Sequence, residues 1–391
     1  MIDYNKVLSA TVQEIKPSGI RRFFNLASEM ENVISLGVGE PDFKTPWAVR
    51  RAGIHALEDG KTWYTANAGM PELKSEISKY LARRFDLHYK TDELFVTVGG
   101  SEAIDMCIRA LVEPGDEVMV CEPSFVCYSP IAALSHAKVV PIATKVENGF
   151  SLTPAELKAA ISPKSKLLIL PFPSNPTGGV MTKEQLEAIA EVLRGTDIMV
   201  LSDEIYAELT YGGLKHTSLA NIPDMWERTI VVNGFSKAYA MTGWRLGYVC
   251  GPKPIIDQML KIHQYAVMCA PTVSQLAAIE AMRSCDDAIL EMRDEYDMRR
   301  RMLVDRLNAM GLTCFEPRGA FYVFPCIKST GLTSAEFCER LLNAKRVAVI
   351  PGDAFGECGE GFIRISYSYS MSHLMTALER IAQFLEEIKQ A

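Results

Sequence analysis

Thr229-Ile230-Val231-Val232-Asn233 runs directly into Gly234-Phe235-Ser236-Lys237, and then into Ala238-Tyr239-Ala240-Met241-Thr242-Gly243-Trp244-Arg245. The first run is apolar without alternation and predicts a buried strand. Lys237 falls just beyond its end. Parallel α/β sheets build their sites outside the carboxyl ends of their strands. Among apolar neighbours a lysine loses proton affinity, because desolvation disfavours its charged form. The neutral amine can then attack a carbonyl and form an imine. Ser236 and Arg245 are spaced to hold an anionic group beside it. A loop lysine by itself is ordinarily a solvated charge, and Lys237 alone would carry no more than that.

Two upstream blocks change the balance. Leu167-Leu168-Ile169-Leu170 precedes Pro173-Ser174-Asn175-Pro176-Thr177-Gly178, and Ile198-Met199-Val200-Leu201 precedes Ser202-Asp203-Glu204-Ile205-Tyr206. Asn175, Asp203 and Lys237 therefore fall at strand ends of one sheet. An aldehyde cofactor with an aromatic nitrogen needs such a set. A lysine forms the imine, an aspartate keeps the ring nitrogen protonated, and Asn175 and Tyr206 meet the ring oxygen. Pyridoxal phosphate is the electron sink that uses such a lysine and aspartate.

With these motifs the chain resembles the class I/II pyridoxal-phosphate aminotransferases of fold type I. The likeness runs from Ser35-Leu36-Gly37-Val38-Gly39-Glu40-Pro41-Asp42-Phe43 to Phe362-Ile363-Arg364-Ile365-Ser366-Tyr367. Within that family it is similar to the subgroup of bacterial and archaeal aromatic, aspartate and N-acetyl-diaminopimelate aminotransferases. The resemblance implies an α/β fold. A doubly wound, mostly parallel seven-stranded sheet would form a large cofactor domain. A smaller α+β domain would come from the N-terminal arm and the C-terminal part. The expected boundaries are 1–45 for the arm and part of the small domain, 46–285 for the large domain, and 286–391 for a linking helix and the small domain.

Composition is ordinary for a soluble globular protein. The 391 residues are 48% hydrophobic and 23% charged, and the net charge of −7 argues against nucleic acid as a partner. No apolar run is long enough to span a bilayer, and the N-terminus does not read as a signal peptide. Ten cysteines are scattered without a C-x-x-C pair, and six histidines show no ligand spacing. Free buried thiols in a reducing cytoplasm, and no metal, are expected.

In chain order, Pro17-Ser18-Gly19-Ile20-Arg21-Arg22-Phe23-Phe24 belongs to an arm with apolar anchors. Gly37-Val38-Gly39-Glu40-Pro41 breaks a short strand. By itself it is a Gly/Pro turn, and Asp42 spoils any dinucleotide fingerprint. The resemblance lays this turn over the substrate, with the Gly39 N–H on the substrate carboxylate. Trp63-Tyr64 stands in a polar loop. The resemblance takes Tyr64 to the cofactor phosphate of a neighbouring subunit, which implies a homodimer with shared sites. After the strand Leu94-Phe95-Val96-Thr97-Val98, Gly99-Gly100-Ser101-Glu102 opens a helix. Free N–H groups and the positive dipole end suit an anion there, so Gly100, Ser101 and Glu102 are expected to bind cofactor, together with Ser236 and Arg245. Phe125 would lie flat against the cofactor ring.

A helix from about Asp286 to Met310 bridges out of the large domain, and its charges, Arg299 and Arg300 among them, read as a mostly solvated structural face. Strands are expected over 318–325, 346–350 and 361–367, and a closing amphipathic helix over 371–388. Arg364 sits mid-strand among apolar residues, where an unpaired charge is expensive. It is either half of an internal salt bridge or a bidentate grip on the substrate α-carboxylate.

The implied activity is transfer of an amino group from an L-amino acid, an aromatic, aspartate or related donor, to a 2-oxo acid such as 2-oxoglutarate, by a ping-pong scheme. The catalytic residues would be Lys237, Asp203 and Tyr206, and the substrate residues Gly39, Asn175 and Arg364. A C–S β-lyase on the same scaffold would use the same Lys, Asp and Asn. A cofactor-dependent transcription regulator would need a basic DNA-binding extension, which is not seen. Some aspartate-preferring relatives have lysine where this chain has Ser101, and tryptophan where it has Phe125. Both differences favour aromatic or other large side chains.

Overall fold

The computed structural model describes residues 2–17, 19–20 and 30–390. Arg21-Arg22-Phe23-Phe24 and Ser18 of the arm lie outside the described residues.

Strand β1 (Ile34–Ser35) stands apart from a large sheet made by β2 (Leu94–Thr97), β3 (Glu117–Glu122), β4 (Lys138–Ala143), β5 (Ser165–Leu170), β6 (Met199–Asp203), β7 (Thr229–Gly234) and β8 (Gly247–Cys250). Their order is β2-β8-β7-β6-β5-β3-β4. β8 is antiparallel to both neighbours, and the other pairings are parallel. The strand runs do not alternate because both faces are covered. Phe95, Leu167, Ile169, Leu201, Ile230 and Val232 point to one side, with helices Gly100–Leu111 and Lys253–Ala266. Val96 and Val231 point to the other, with helices Pro71–Phe85 and Thr272–Ser284. Leu168, Leu170 and Val200 share that second side with helix Lys183–Leu193. Edge strand β4 alone carries exposed residues along its length and holds Pro141, whose missing N–H is harmless at an edge.

The remaining strands are β9 (Tyr322–Val323), β10 (Val347–Ala348), β11 (Ile350–Pro351) and β12 (Ile363–Ser366). β11-β12-β9 is an antiparallel sheet, and β10 pairs in parallel with β1. They pack with helices Asp286–Ala309, Ser334–Lys345 and Met371–Gln390 around a second core that includes Tyr296, Phe321, Phe337, Ile365 and Phe384.

Three expectations need correction. The 346–350 run divides at Val349, and its halves join different sheets. Only Tyr322–Val323 of the 318–325 run is strand, because the Arg318 and Gly319 N–H groups are spent on the Gly178 carbonyl at 3.0 and 2.9 Å. Arg299 and Arg300 are buried rather than solvated. Arg299 Nη1 donates to both Asp42 oxygens at 2.9 Å. Arg300 bonds Asp297 and Glu316, each at 2.8 Å. Pairing is what lets these charges be buried.

Candidate active site

A cavity of about 400 Å³ opens where the carboxyl ends of β5, β6 and β7 meet the C-terminal sheet. Asp203 is the last residue of β6, and Lys237 lies just past the end of β7. Asn175 follows β5, and Arg364 enters from β12. Four regions of the chain thus deliver one side chain each.

Lys237 Nζ donates to the Gly39 carbonyl at 2.6 Å. It also stands 5.8 Å from the Tyr206 ring centroid and 5.6 Å from that of Phe321. Burial lowers its pKa from the ordinary 10.5 to about 8, with the Arg364 and Arg245 charges helping and Glu40 opposing. Asp203 is buried, which pushes its carboxyl up, while Tyr128 Oη at 2.6 Å and the Ile205 N–H at 3.2 Å pull the other way. Tyr206 Oη lies 2.8 Å from Tyr322 Oη.

Arg364 is 3% exposed. Among the described residues it has no carboxylate within ion-pair reach, so the internal salt bridge is not present. Its Nη1 donates to Asn175 Oδ1 at 2.9 Å, and its Nη2 to the Gly37 carbonyl. The rings of Tyr322 and Phe355 flank the guanidinium at 4.6 and 4.8 Å. Its Nε is buried without a partner among the described residues. A buried donor left unmet is costly, which makes this a place built for an incoming acceptor.

At the other end of the cavity the helix Gly100–Leu111 begins with no side-chain cap. Gly99 precedes it at φ 79°. A Cβ there would stand 2.6 Å from Arg245 Nη2, so glycine is what lets the guanidinium lie over the helix start. Ser236, Gly100 and Ser101 line the same end. An anion is served here by N–H groups, a dipole and a cation together.

The Glu102 side chain is engaged elsewhere. Its carboxylate accepts from the Val98 N–H and meets the buried His263 Nδ1 at 2.9 Å. Its side chain is therefore turned from the cavity and pins the loop from behind. Phe125 lines the cavity. Tyr64 does not, and is 75% exposed at the surface. Gly39 sits in the turn over the cavity, where a Cβ would overlap the Tyr322 hydroxyl. The site residues missed from sequence are Tyr128 and Tyr322. Both read as core aromatics, and nothing in a sequence says where a phenol hydroxyl points.

The cavity thus has an anion cup at one end, a buried carboxyl at Asp203, an amine of lowered pKa, and a second anion grip at Arg364. This donor set fits pyridoxal phosphate. The family model for aminotransferase class I and II matches residues 31–381. The chain belongs to the class I and II aminotransferases. It is 53% identical to the putative aminotransferase YugH of Bacillus subtilis, over 97% of this chain and 98% of that one. It is 44% identical to the aspartate aminotransferase of Pyrococcus abyssi, over 98% and 99%. Among solved structures, the aromatic aminotransferase from Pyrococcus horikoshii OT3 superposes with a TM-score of 0.90 at 42% identity, covering 95% of this chain and 100% of that one. This aminotransferase is a pyridoxal-phosphate enzyme, as its family is. Its ten cysteines are free. No helix among the described residues is long and apolar enough to cross a membrane.

Proposed function

We propose that this aminotransferase takes the amino group from an L-amino acid with an aromatic or other large side chain and passes it to 2-oxoglutarate or a similar 2-oxo acid. Donor and acceptor use the one site in turn. The observation that carries this reading is the buried Arg364, with no carboxylate and no Nε partner among the described residues, on the same cavity as a lysine of lowered pKa. Every amino acid and oxo acid substrate has a carboxylate for that grip. Ile20, Val38, Ile104 and Phe125 add apolar walls. Ser101 supplies no charge for a distal carboxylate.

Pyridoxal phosphate, when bound, supplies the electron sink for the substrate carbanion. Ser236, Arg245 and the N–H groups opening the helix at Gly100 would hold its phosphate. Phe125 would cover its ring, Asp203 would hold a proton at the ring nitrogen, and Asn175 and Tyr206 would meet the ring oxygen. Lys237 would hold its aldehyde carbon. The Lys237 amine would take the proton from the substrate Cα as general base and hold it for return as general acid. Arg364 and the Gly39 N–H orient the carboxylate so that Cα–H faces Lys237. The functional division of the chain into 1–45, 46–285 and 286–391 and a cytoplasmic setting belong to the same reading, the latter supported by free cysteines.

An amino-donor panel with 2-oxoglutarate tests the reading, with glutamate as the measured product. Aromatic donors should lead. Pyruvate release from cystathionine without glutamate formation would replace transamination by β-elimination.

The enzyme is proposed to be a homodimer in which each Tyr64 reaches the phosphate bound by the other subunit. Exposed Trp63, its neighbour in the chain, and exposed Tyr265, at 62% and 87%, support an apolar contact. Tyr64→Phe should weaken cofactor retention roughly tenfold or more, as a lost hydrogen bond to a charged group does, without unfolding the chain. An active monomer in sedimentation at assay concentration would end the shared-site idea.

A further inference from the structure

Tyr322 joins two groups of the proposed site, the carboxylate grip Arg364 and Tyr206, which faces the cofactor. It is fully buried, and its hydroxyl is 2.8 Å from Tyr206 Oη. Its ring carries the Arg364 guanidinium 4.6 Å from the centroid. Register explains the stacking. Tyr322 pairs with Ser366, and Arg364 is two residues along β12 on the same face. Glycine at position 39 lets the turn close over the Tyr322 hydroxyl.

The direction of the hydroxyl–hydroxyl bond matters. Tyr206 has one phenolic proton and two lone pairs. If it gives the proton to Tyr322, none is left for a cofactor oxygen. A cation on a phenol's face draws density from the ring and strengthens the hydroxyl as a donor. Arg364 is charged at every working pH and sits on Tyr322. Over the Tyr206 ring stands Lys237, farther off at 5.8 Å and the group that gives up its charge on reacting.

We propose that Tyr322 is a positioning residue whose hydroxyl donates to Tyr206 Oη, so that Tyr206 keeps its own proton for the ring oxygen of the cofactor. This rests on the functional reading above. It makes a path from the carboxylate-binding arginine to the cofactor that is separate from the Arg364–Asn175 bond.

The test is spectroscopic. Wild type, Tyr322→Phe, Tyr206→Phe and the double variant are loaded with pyridoxal phosphate, and the visible absorption band is titrated with pH. Tyr322→Phe keeps the ring under Arg364 and loses only the hydroxyl. Without it Tyr206 is a weaker donor, the ring oxygen is less stabilised as an anion, and the titration midpoint rises. The expected rise is about half a unit to one unit, the size of one neutral hydrogen bond. In the Tyr206→Phe background the same substitution should leave the midpoint in place, because the two hydroxyls act as one unit. An unshifted midpoint in Tyr322→Phe overturns the role of Tyr322, and so does an equal shift in both backgrounds. A wild type that develops no visible band with pyridoxal phosphate overturns the functional reading, and this inference with it.

Discussion

Arg364→Lys is expected to lower kcat/KM for amino donor and oxo acid acceptor alike by roughly 30-fold to several thousand-fold, the equivalent of about 2–5 kcal/mol for a desolvated charge pair that loses a partner. The guanidinium is fixed by Asn175, Gly37 and two aromatic faces, so its fork is already aimed before substrate arrives. A lysine offers a point charge without the planar fork, and it cannot keep Asn175 and a carboxylate satisfied together. Both half-reactions use the same carboxylate, so both should fall. The visible cofactor band should stay, because no part of the phosphate cup is touched. Amines that lack a carboxylate should react as before. Unchanged amino-acid kinetics, or loss of cofactor binding, would make Arg364 a structural or cofactor residue.

Lys237→Ala should hold pyridoxal phosphate through the phosphate contacts yet lose at least about 10²–10⁴-fold in turnover, the usual worth of a positioned acid–base group. Borohydride reduction of the wild type followed by peptide mapping should place the label on Lys237. A label on another lysine ends the assignment. The lysine also leaves a mark on the cofactor-free protein. Its pKa falls from 10.5 in the unfolded chain to about 8 when folded. Between those values the unfolded chain binds more protons, so stability rises with pH across that window and the deficit is full below it. Lys237→Met should therefore stabilise the cofactor-free protein at pH 7 by up to about 3 kcal/mol, and the gain should vanish above pH 10.5. Urea melts at the two pH values measure it. A gain that persists at high pH would show that burial of charge is not its cause.

Much of this site is legible in the amino-acid sequence because of how doubly wound sheets are built. An uninterrupted apolar run followed by a polar residue marks a strand end, and Asn175, Asp203 and Lys237 each follow such a run. Arg364 is legible for the opposite reason, as a charge where a strand should be apolar. Side-chain direction is not legible. Glu102 stands in the right loop but turns back to Val98 and His263, since a carboxylate near a helix start finds backbone N–H groups locally. Tyr128 and Tyr322 look like core in sequence because most of each ring is core. Arg299 and Arg300 give no sign of burial, because the partners that complete their pairing, Asp42 and Glu316, come from outside their helix.

The pairing of β1 with β10 carries a consequence for how the chain is made. Ile34 meets Val347 and Ser35 meets Ala348. Leu36 then gives its N–H to Ala348 and takes one from Ser366. The turn over the cavity is thus hung from residues made last. The large sheet can form while the ribosome is still translating, because domains fold as units from the N-terminal side. The turn cannot be seated, nor Gly37 meet Arg364, until the C-terminal strands emerge. Closing so long a loop is slow. For that interval Leu36 and the neighbours it will bury are an open apolar edge. A chain cut short before β10 lacks Arg364 and so has no hold on a carboxylate.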